Sequence, residues 1–188
     1  MHILDIVQNS IVADASRIEV IIKEDLSENL FQIEINDNGK GISPEVLENI
    51  TDPFLTSRTT RPVGMGLPLF KEAAERCDGE LIINSQLAEG TELKVVFKHD
   101  HIDRAPLGDI KGTLISLIAL NPQIDFLYKH IYKKDSLKNN NNNNNYFILD
   151  TAELKKELED VDINQKEVLN WIAEFIKEGL KELYGGDC

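Results

Sequence analysis

The chain predicts an α+β fold on three observations: two pairs of short alternating segments that read as β-hairpins, amphipathic helical stripes between them, and a change of pattern near residue 100. Arg17 to Lys23 and Leu30 to Asn36 alternate apolar with polar residues and are rich in Ile and Val, as half-buried strands are. Glu80 to Ser85 and Thr91 to Lys98 repeat the pattern, joined through Glu89-Gly90.

Ahead of the first pair, Ile3, Ile6, Val7, Ser10 and Ile11 recur at helical spacing. A helix from residue 3 to about 14 follows, with Asp5, Asn9 and Ala13 four apart on one face. The polar Glu24 to Asn29 reads as a hairpin connection, and the second strand ends at Asn36-Asp37. Ser43 can cap a short helix with Pro44 in its first position and Glu45 and Glu48 following. Thr51 to Val63 has no period and carries two prolines and four threonines, so it reads as a long loop of the kind that often forms a functional lid. Leu67 to Cys77 reads as a helix stopping before Asp78-Gly79.

Around Asp100 to Pro106 the composition shifts, which places a boundary between a first unit, residues 1–100, and a small α+β second unit, residues 101–188. In the second unit Thr113 to Leu120 is helical, while Ile124 to Tyr132 and Tyr146 to Leu149 are strand-like. Seven asparagines, Asn139 to Asn145, lie between those strands as a low-complexity loop that cannot build a core. Asp150 with Glu153, and Asn164 with Glu167, have capping-box spacing for two terminal helices. Val168, Ile172, Phe175, Ile176 and Leu183 line one face of the last helix, a stripe that packs on its own domain or on a partner or second copy.

A formal charge of -13 argues against nucleic acid and anionic membranes as partners, because both are gripped through Lys and Arg. Two cysteines, Cys77 and Cys188, make neither a disulfide framework nor a metal cluster, and Cys77 reads as a buried apolar residue on a helix. No apolar run reaches the roughly 18 residues of a membrane span, and the acid at Asp5 interrupts any signal-like start. These features lead to a cytoplasmic expectation. His2, His99, His101 and His130 read as surface or packing residues.

No Walker-type G-x-x-x-x-G-K-[ST] occurs, and no G-x-G-x-x-G follows a strand in a Rossmann arrangement. Three other segments stand in an order that suggests one ATP site: Asp5-Ile-Val-Gln-Asn9, Asp37-Asn-Gly-Lys-Gly-Ile42 and Gly64-Met-Gly-Leu67. After a strand, the Asp37 carboxylate can accept from an exocyclic amine while Gly39 and Gly41 let backbone approach a ligand. Alone, Asp-Asn-Gly is an ordinary turn. Gly64-x-Gly66 before a helix suggests a backbone nest and helix N-terminus aimed at phosphate. Asn9, one turn after Asp5, supplies a neutral oxygen for magnesium beside a carboxylate that could orient a water or hydroxyl.

Together these segments resemble the N, G1 and G2 boxes of the GHKL superfamily, which comprises DNA gyrase, the large heat-shock chaperones, histidine kinases and the MutL mismatch-repair proteins. Asp5 to Glu19 is similar to the mismatch-repair form of the first box, and Asp37 to Gly41 matches Asp-x-Gly-x-Gly. Asp52-Pro-Phe-Leu-Thr-Ser-Arg-Thr-Thr60 and Gly64-Met-Gly-Leu67 resemble the phenylalanine-bearing segment and the Gly-x-Gly-Leu of histidine kinases, and Gly90-Thr91 fits the last motif position. The resemblance covers residues 1 to 98 and implies a two-layer α/β sandwich, the Bergerat fold, with a mixed sheet and helices on one face.

By that resemblance the cofactors would be ATP and Mg2+. Asn9 would coordinate magnesium, Asp37 would accept the adenine amino group, Ala13 would line the base, and Thr91 would bind it with a water. Gly39 and Gly41 would floor the pocket and Gly64 and Gly66 would wrap phosphate, with Ile42, Met65 and Leu67 also among the nucleotide-binding residues. Residues 52 to 63 would be the ATP lid, with Arg58, Thr59, Thr60 and Arg61 as γ-phosphate donors and Phe54 packing as its anchor. Asp5 stands where the mismatch-repair and gyrase branch has a Glu general base; a carboxylate one methylene shorter implies slow hydrolysis. Val12 replaces a residue that is commonly polar in relatives. The resulting expectation is a signalling protein that transfers the γ-phosphoryl group to a partner protein, with a slow ATPase or nucleotide-gated interaction switch as the alternative. Histidine kinases carry an acceptor His ahead of the ATP domain, and only four residues precede Asp5 here.

Overall fold

The computed structural model describes residues 3–48, 50, 66–134 and 145–185. Twelve elements are present among them: α1 Ile3–Val12, β1 Arg17–Asp25, β2 Leu30–Asp37, α2 Pro44–Leu47, α3 Gly66–Glu75, β3 Glu80–Gln86, β4 Gly90–Lys98, α4 Ile110–Leu120, β5 Asp125–Lys133, β6 Asn145–Asp150, α5 Thr151–Leu158 and α6 Lys166–Leu183. The strands form one six-stranded sheet in the order β3-β4-β2-β1-β5-β6. Every neighbouring pair is antiparallel except β1 and β5, so the sheet is mixed.

Strand alternation decides which side is buried. Ile18, Val20 and Ile22 of β1, Phe31, Ile33 and Ile35 of β2, and Leu93, Val95 and Phe97 of β4 all point to one face and are buried. Onto that face pack Ile3, Ile6 and Val7 of α1, Leu67, Phe70 and Ala74 of α3, Leu114, Leu117 and Ile118 of α4, and Ile172, Ile176 and Leu183 of α6. Cys77 joins this core, and its burial pushes the thiol up and keeps it protonated. The architecture is the α+β two-layer sandwich with helices on one side of the sheet.

The sheet runs across the boundary expected near Asp100. Nine residues of β5 pair with β1 from Arg17↔Asp125 to Asp25↔Lys133, and Phe126 and Tyr128 continue the core of the first three strands. A hairpin alone would leave the outer edge of β1 with unpaired backbone groups, and β5 covers it after the α4 crossover. Residues beyond 100 therefore complete the first unit's sheet. The composition shift marks where strand order leaves the hairpin pattern.

Local details differ from expectation at two caps. Ser43 precedes α2, but its side chain makes no capping bond; its carbonyl instead accepts from Val46 and Leu47. Helix α6 begins one residue later than the Asn164-Glu167 spacing suggests, with Gln165 at the cap and no side-chain bond. Asp150 does cap α5, accepting from the Ala152 amide, and Asp109 caps α4 by accepting from Gly112. The stretch Glu24-Asp25, read as part of a polar connection, belongs to β1 and is buried.

Candidate functional site

Asp37 closes β2 on the helix-covered side of the sheet, where α1 passes over it. The hydroxyl of Ser10, itself only 4% exposed, donates to Asp37 Oδ2 at 2.6 Å. The Gly39 amide donates to Oδ1 at 2.9 Å. Both carboxylate oxygens are thus held by short bonds from two elements. Asn38 points the other way, its Oδ1 accepting from the Ser16 and Arg17 amides at 2.9 Å and its Nδ2 donating to Ser16 Oγ. The Asp-Asn-Gly segment is therefore a turn, and the turn is what aims Asp37.

Ala13 lies against this turn. A Cβ on Gly39 would come within 2.7 Å of the Ala13 carbonyl oxygen, and the Lys40 amide donates to that same oxygen at 2.9 Å. Lys40 Nζ donates to the Val12 carbonyl and pairs with Asp14, both at 3.2 Å, tying the loop to the end of α1. Gly41 has φ +68°, and a Cβ there would collide with the Gln86 carbonyl. A Gly41→Ala change is expected to cost about 2 kcal/mol or more, from left-handed backbone strain plus displacement of the 86–90 turn. Denaturant unfolding with an unchanged midpoint would show that the loop relaxes freely, contrary to this expectation.

Thr91 stands opposite Asp37 in the β2–β4 register. Ser85 of β3 connects it to the floor: Ser85 Oγ donates to the Gly90 carbonyl at 2.8 Å, receives the Ile42 amide at 2.9 Å, and lies 2.9 Å from Thr91 Oγ1. Ile42 enters this wall through its backbone, while its side chain packs on the core.

Along α1, Asp5, Asn9 and Ala13 follow one another at four-residue spacing, Asp5 exposed and Asn9 half-buried. Gly66, the first residue of α3, abuts the start of that line: a Cβ there would sit 2.9 Å from Asp5 Cβ. Helical rise separates Asp5 from Ala13 by about 12 Å, so α1 spans from the Asp37 wall to the N-terminus of α3. Leu67 is buried in the core and contributes packing, not side-chain polarity, to this end. Arg58, Thr59, Thr60, Arg61, Gly64, Met65, Phe54 and the expected lid lie outside the described residues. Val12 is exposed, at the rim.

Sequence reasoning missed Ser10 and Ser85. Ser10 did carry a signal, being the one hydroxyl in a stripe of Ile and Val that faces the core. A second polar group was missed altogether. Glu24, near the far end of β1 and about 20 Å along the strand from Asp37's partner Ile18, accepts from His130 Nε2 at 2.9 Å, from His99 Nε2 at 3.0 Å and from the Tyr184 hydroxyl. His130 is fully buried and its Nδ1 lies 2.8 Å from the Tyr128 hydroxyl. This group was not visible from spacing, because its members come from β1, β5, the end of α6 and the turn after β4.

No group of three or more His, Cys, Asp or Glu suited to a metal ion exists among the described residues, and no helix among them is long and apolar enough to cross a membrane. Residues 2–101 match the family model described as histidine kinase-, DNA gyrase B-, and HSP90-like ATPase. Over 97 residues the chain is 29% identical to a putative sensor protein of Shewanella frigidimarina, and over 96 residues 29% identical to sporulation kinase A of Bacillus subtilis; each match takes in 50% of this chain and 15% of the relative. Over 87 residues it is 33% identical to the sensor protein BceS of Halalkalibacterium halodurans, covering 44% of this chain and 26% of that protein. The chain thus spans only a minor part of the curated relatives it matches. Among solved structures, the N-terminal domain of a DNA repair protein aligns with 98% of this chain and 56% of its own at a TM-score of 0.49 and 17% identity.

Proposed function

Because the chain belongs to the histidine kinase-, DNA gyrase B- and HSP90-like ATPase family, we propose that its site holds Mg-ATP and passes the γ-phosphoryl group to a partner protein. The observation that carries the nucleotide reading is the line along α1. It joins an acceptor wall at Asp37 and Thr91, suited to a base bearing an amine, to the Asp5 and Gly66 pair at the N-terminus of α3, where amide donors and the helix dipole favour phosphate. Its length of about 12 Å suits an extended nucleoside triphosphate.

The donor set also suits magnesium. The ion takes hard oxygen ligands, prefers few protein groups and is held largely by substrate phosphates. Asn9 Oδ1 would supply one neutral oxygen, and Asp5 one turn earlier would orient a water or acceptor hydroxyl. Bound there, magnesium would neutralise charge building on the phosphates. The protein's own part is positioning: Asp37 fixes the base, Ala13 and Gly39 shape the floor, and α3 points its first turn at the phosphates.

Transfer to a protein is favoured by one relative being a sporulation kinase and another a putative sensor protein. The short acid at Asp5 favours the second reading, a slow ATPase or nucleotide-gated switch. Incubating the full chain and a co-purified extract with γ-labelled ATP separates them. Label on a protein supports transfer, released phosphate supports hydrolysis, and retained ATP with neither supports the switch. Asn9→Ala is expected to weaken Mg-ATP binding by about tenfold or more while sparing magnesium-free ATP, checked by calorimetry with and without chelator. Equal Mg-ATP affinity in the variant would remove Asn9 from the metal site.

A further inference from the structure

The wall around Asp37 and Thr91 has a defined hydrogen-bond polarity, and Ser10 and Ser85 set it. Ser10 has one hydroxyl hydrogen, and it is spent on Asp37 Oδ2 at 2.6 Å. The Gly39 amide is spent on Oδ1 at 2.9 Å. Ser85 donates its hydrogen to the Gly90 carbonyl, which can only accept. The 2.9 Å contact between Ser85 and Thr91 must then run from Thr91, so the Thr91 hydrogen is also turned inward. The Ile42 amide also ends on Ser85 Oγ. What Asp37 and Thr91 present outward is then acceptors alone: the carboxylate of Asp37 and the lone pairs of Thr91 Oγ1.

We propose that Ser10 and Ser85 are specificity-determining positioning residues that make this wall accept only, so that a purine carrying a 6-amino group is bound and one carrying a 6-oxo group is refused. The inference rests on Asp37 being the acceptor for the base. A 6-amino group brings two hydrogens, which the carboxylate and Thr91, directly or through a water, can both use. A 6-oxo group meets no donor and lies against a carboxylate, leaving polar groups unpaired in a part-buried site, where discrimination is steep. Removing either serine changes this polarity differently. Without Ser85 the Thr91 hydrogen is free to turn outward and meet an oxo group. Without Ser10 the carboxylate is no longer held at Oδ2 and can swing away from one.

Binding of ATP and inosine triphosphate, which differ at the 6-position, is measured by calorimetry for the full-length wild type, Asp37→Ala, Ser10→Ala, Ser10→Thr and Ser85→Ala, with thermal unfolding of each. The expected result has three parts. Wild type prefers ATP, and Asp37→Ala loses that preference. Ser10→Ala and Ser85→Ala each narrow the ATP-to-inosine triphosphate ratio by about tenfold, Ser85→Ala by gaining inosine triphosphate affinity. Ser10→Thr, which keeps the hydroxyl, restores the ratio. A merely structural role would weaken both nucleotides together and leave the ratio unmoved, and that outcome with Asp37→Ala still defective overturns the role of the serines alone. Full ATP affinity in Asp37→Ala overturns the site reading and this inference with it.

Discussion

Replacing Asp37 by alanine is expected to raise the dissociation constant for ATP by about 100-fold. A hydrogen bond to a charged acceptor in a part-buried site contributes about 1.5–3 kcal/mol, and each 1.36 kcal/mol is tenfold. The upper part of that range applies here because the carboxylate is pre-aimed. Ser10 and Gly39 hold both oxygens, so little freedom remains to be lost on binding. Asp37→Asn also weakens binding, because it removes the charge of the acceptor. If its oxygen takes the Ser10 hydroxyl, its amide nitrogen meets the Gly39 amide, donor against donor. Asp37→Ala should also lose about 1–2 kcal/mol of folding stability, since the buried Ser10 hydroxyl loses its acceptor. Calorimetric titration with ATP checks the first effect and denaturant unfolding the second; unchanged affinity in Asp37→Ala would remove the base from this end of the sheet.

How much of this was legible beforehand follows from the range of each signal. The strands of the two hairpins and α1 rest on local periodicity, and their spans agree with the structure to within about two residues. Asp37, Gly39 and Ala13 stand out in the sequence because short motifs carry them, and the structure packs Gly39 against both Asp37 and Ala13, while Gly41 abuts Gln86. Ser10 and Ser85 do not, since what makes them matter is the direction of a hydroxyl hydrogen, set by partners 27 and 5 or 6 positions away. The joining of residues beyond 100 to the first sheet was hidden for a related reason. Parallel pairing of β5 with β1 spans more than a hundred positions and leaves no mark on either segment except an apolar alternation that many partners would satisfy. His130 reads in the sequence as a surface or packing residue, and it is fully buried. What its isolated position could not reveal is that Glu24 lies beneath it.

That cluster carries the largest expected effect on stability. Burial alone would push the Glu24 carboxyl up. The hydrogen bonds from His130, Tyr184 and His99 outweigh this and lower it from 4.5 to about 2. Tyr128 and Tyr184 are both pushed up, chiefly by burial, so each remains a protonated phenol and a donor. With Tyr128 donating to Nδ1 and Nε2 donating to Glu24, both ring nitrogens of His130 are satisfied. His130→Ala removes one partner of a buried charge, strands the Tyr128 hydroxyl and opens a cavity at a fully buried position; it should destabilise the fold by about 3–5 kcal/mol. Tyr184→Phe deletes a single donor from the end of α6 and should cost about 1–2 kcal/mol. The pH dependence follows from the sign of the Glu24 shift. A carboxyl lowered in the folded state contributes stability that is full above 4.5 and is lost as pH falls toward about 2. That loss should amount to about 2 kcal/mol once solvent screening at the partly exposed cluster is discounted. Glu24→Gln should be less stable than wild type at neutral pH yet show a flatter acid limb across the same window. Denaturant melts from pH 7 down to pH 2 on the two proteins, at matched ionic strength, check this; parallel acid limbs would mean that other carboxylates, and not Glu24, set the acid sensitivity.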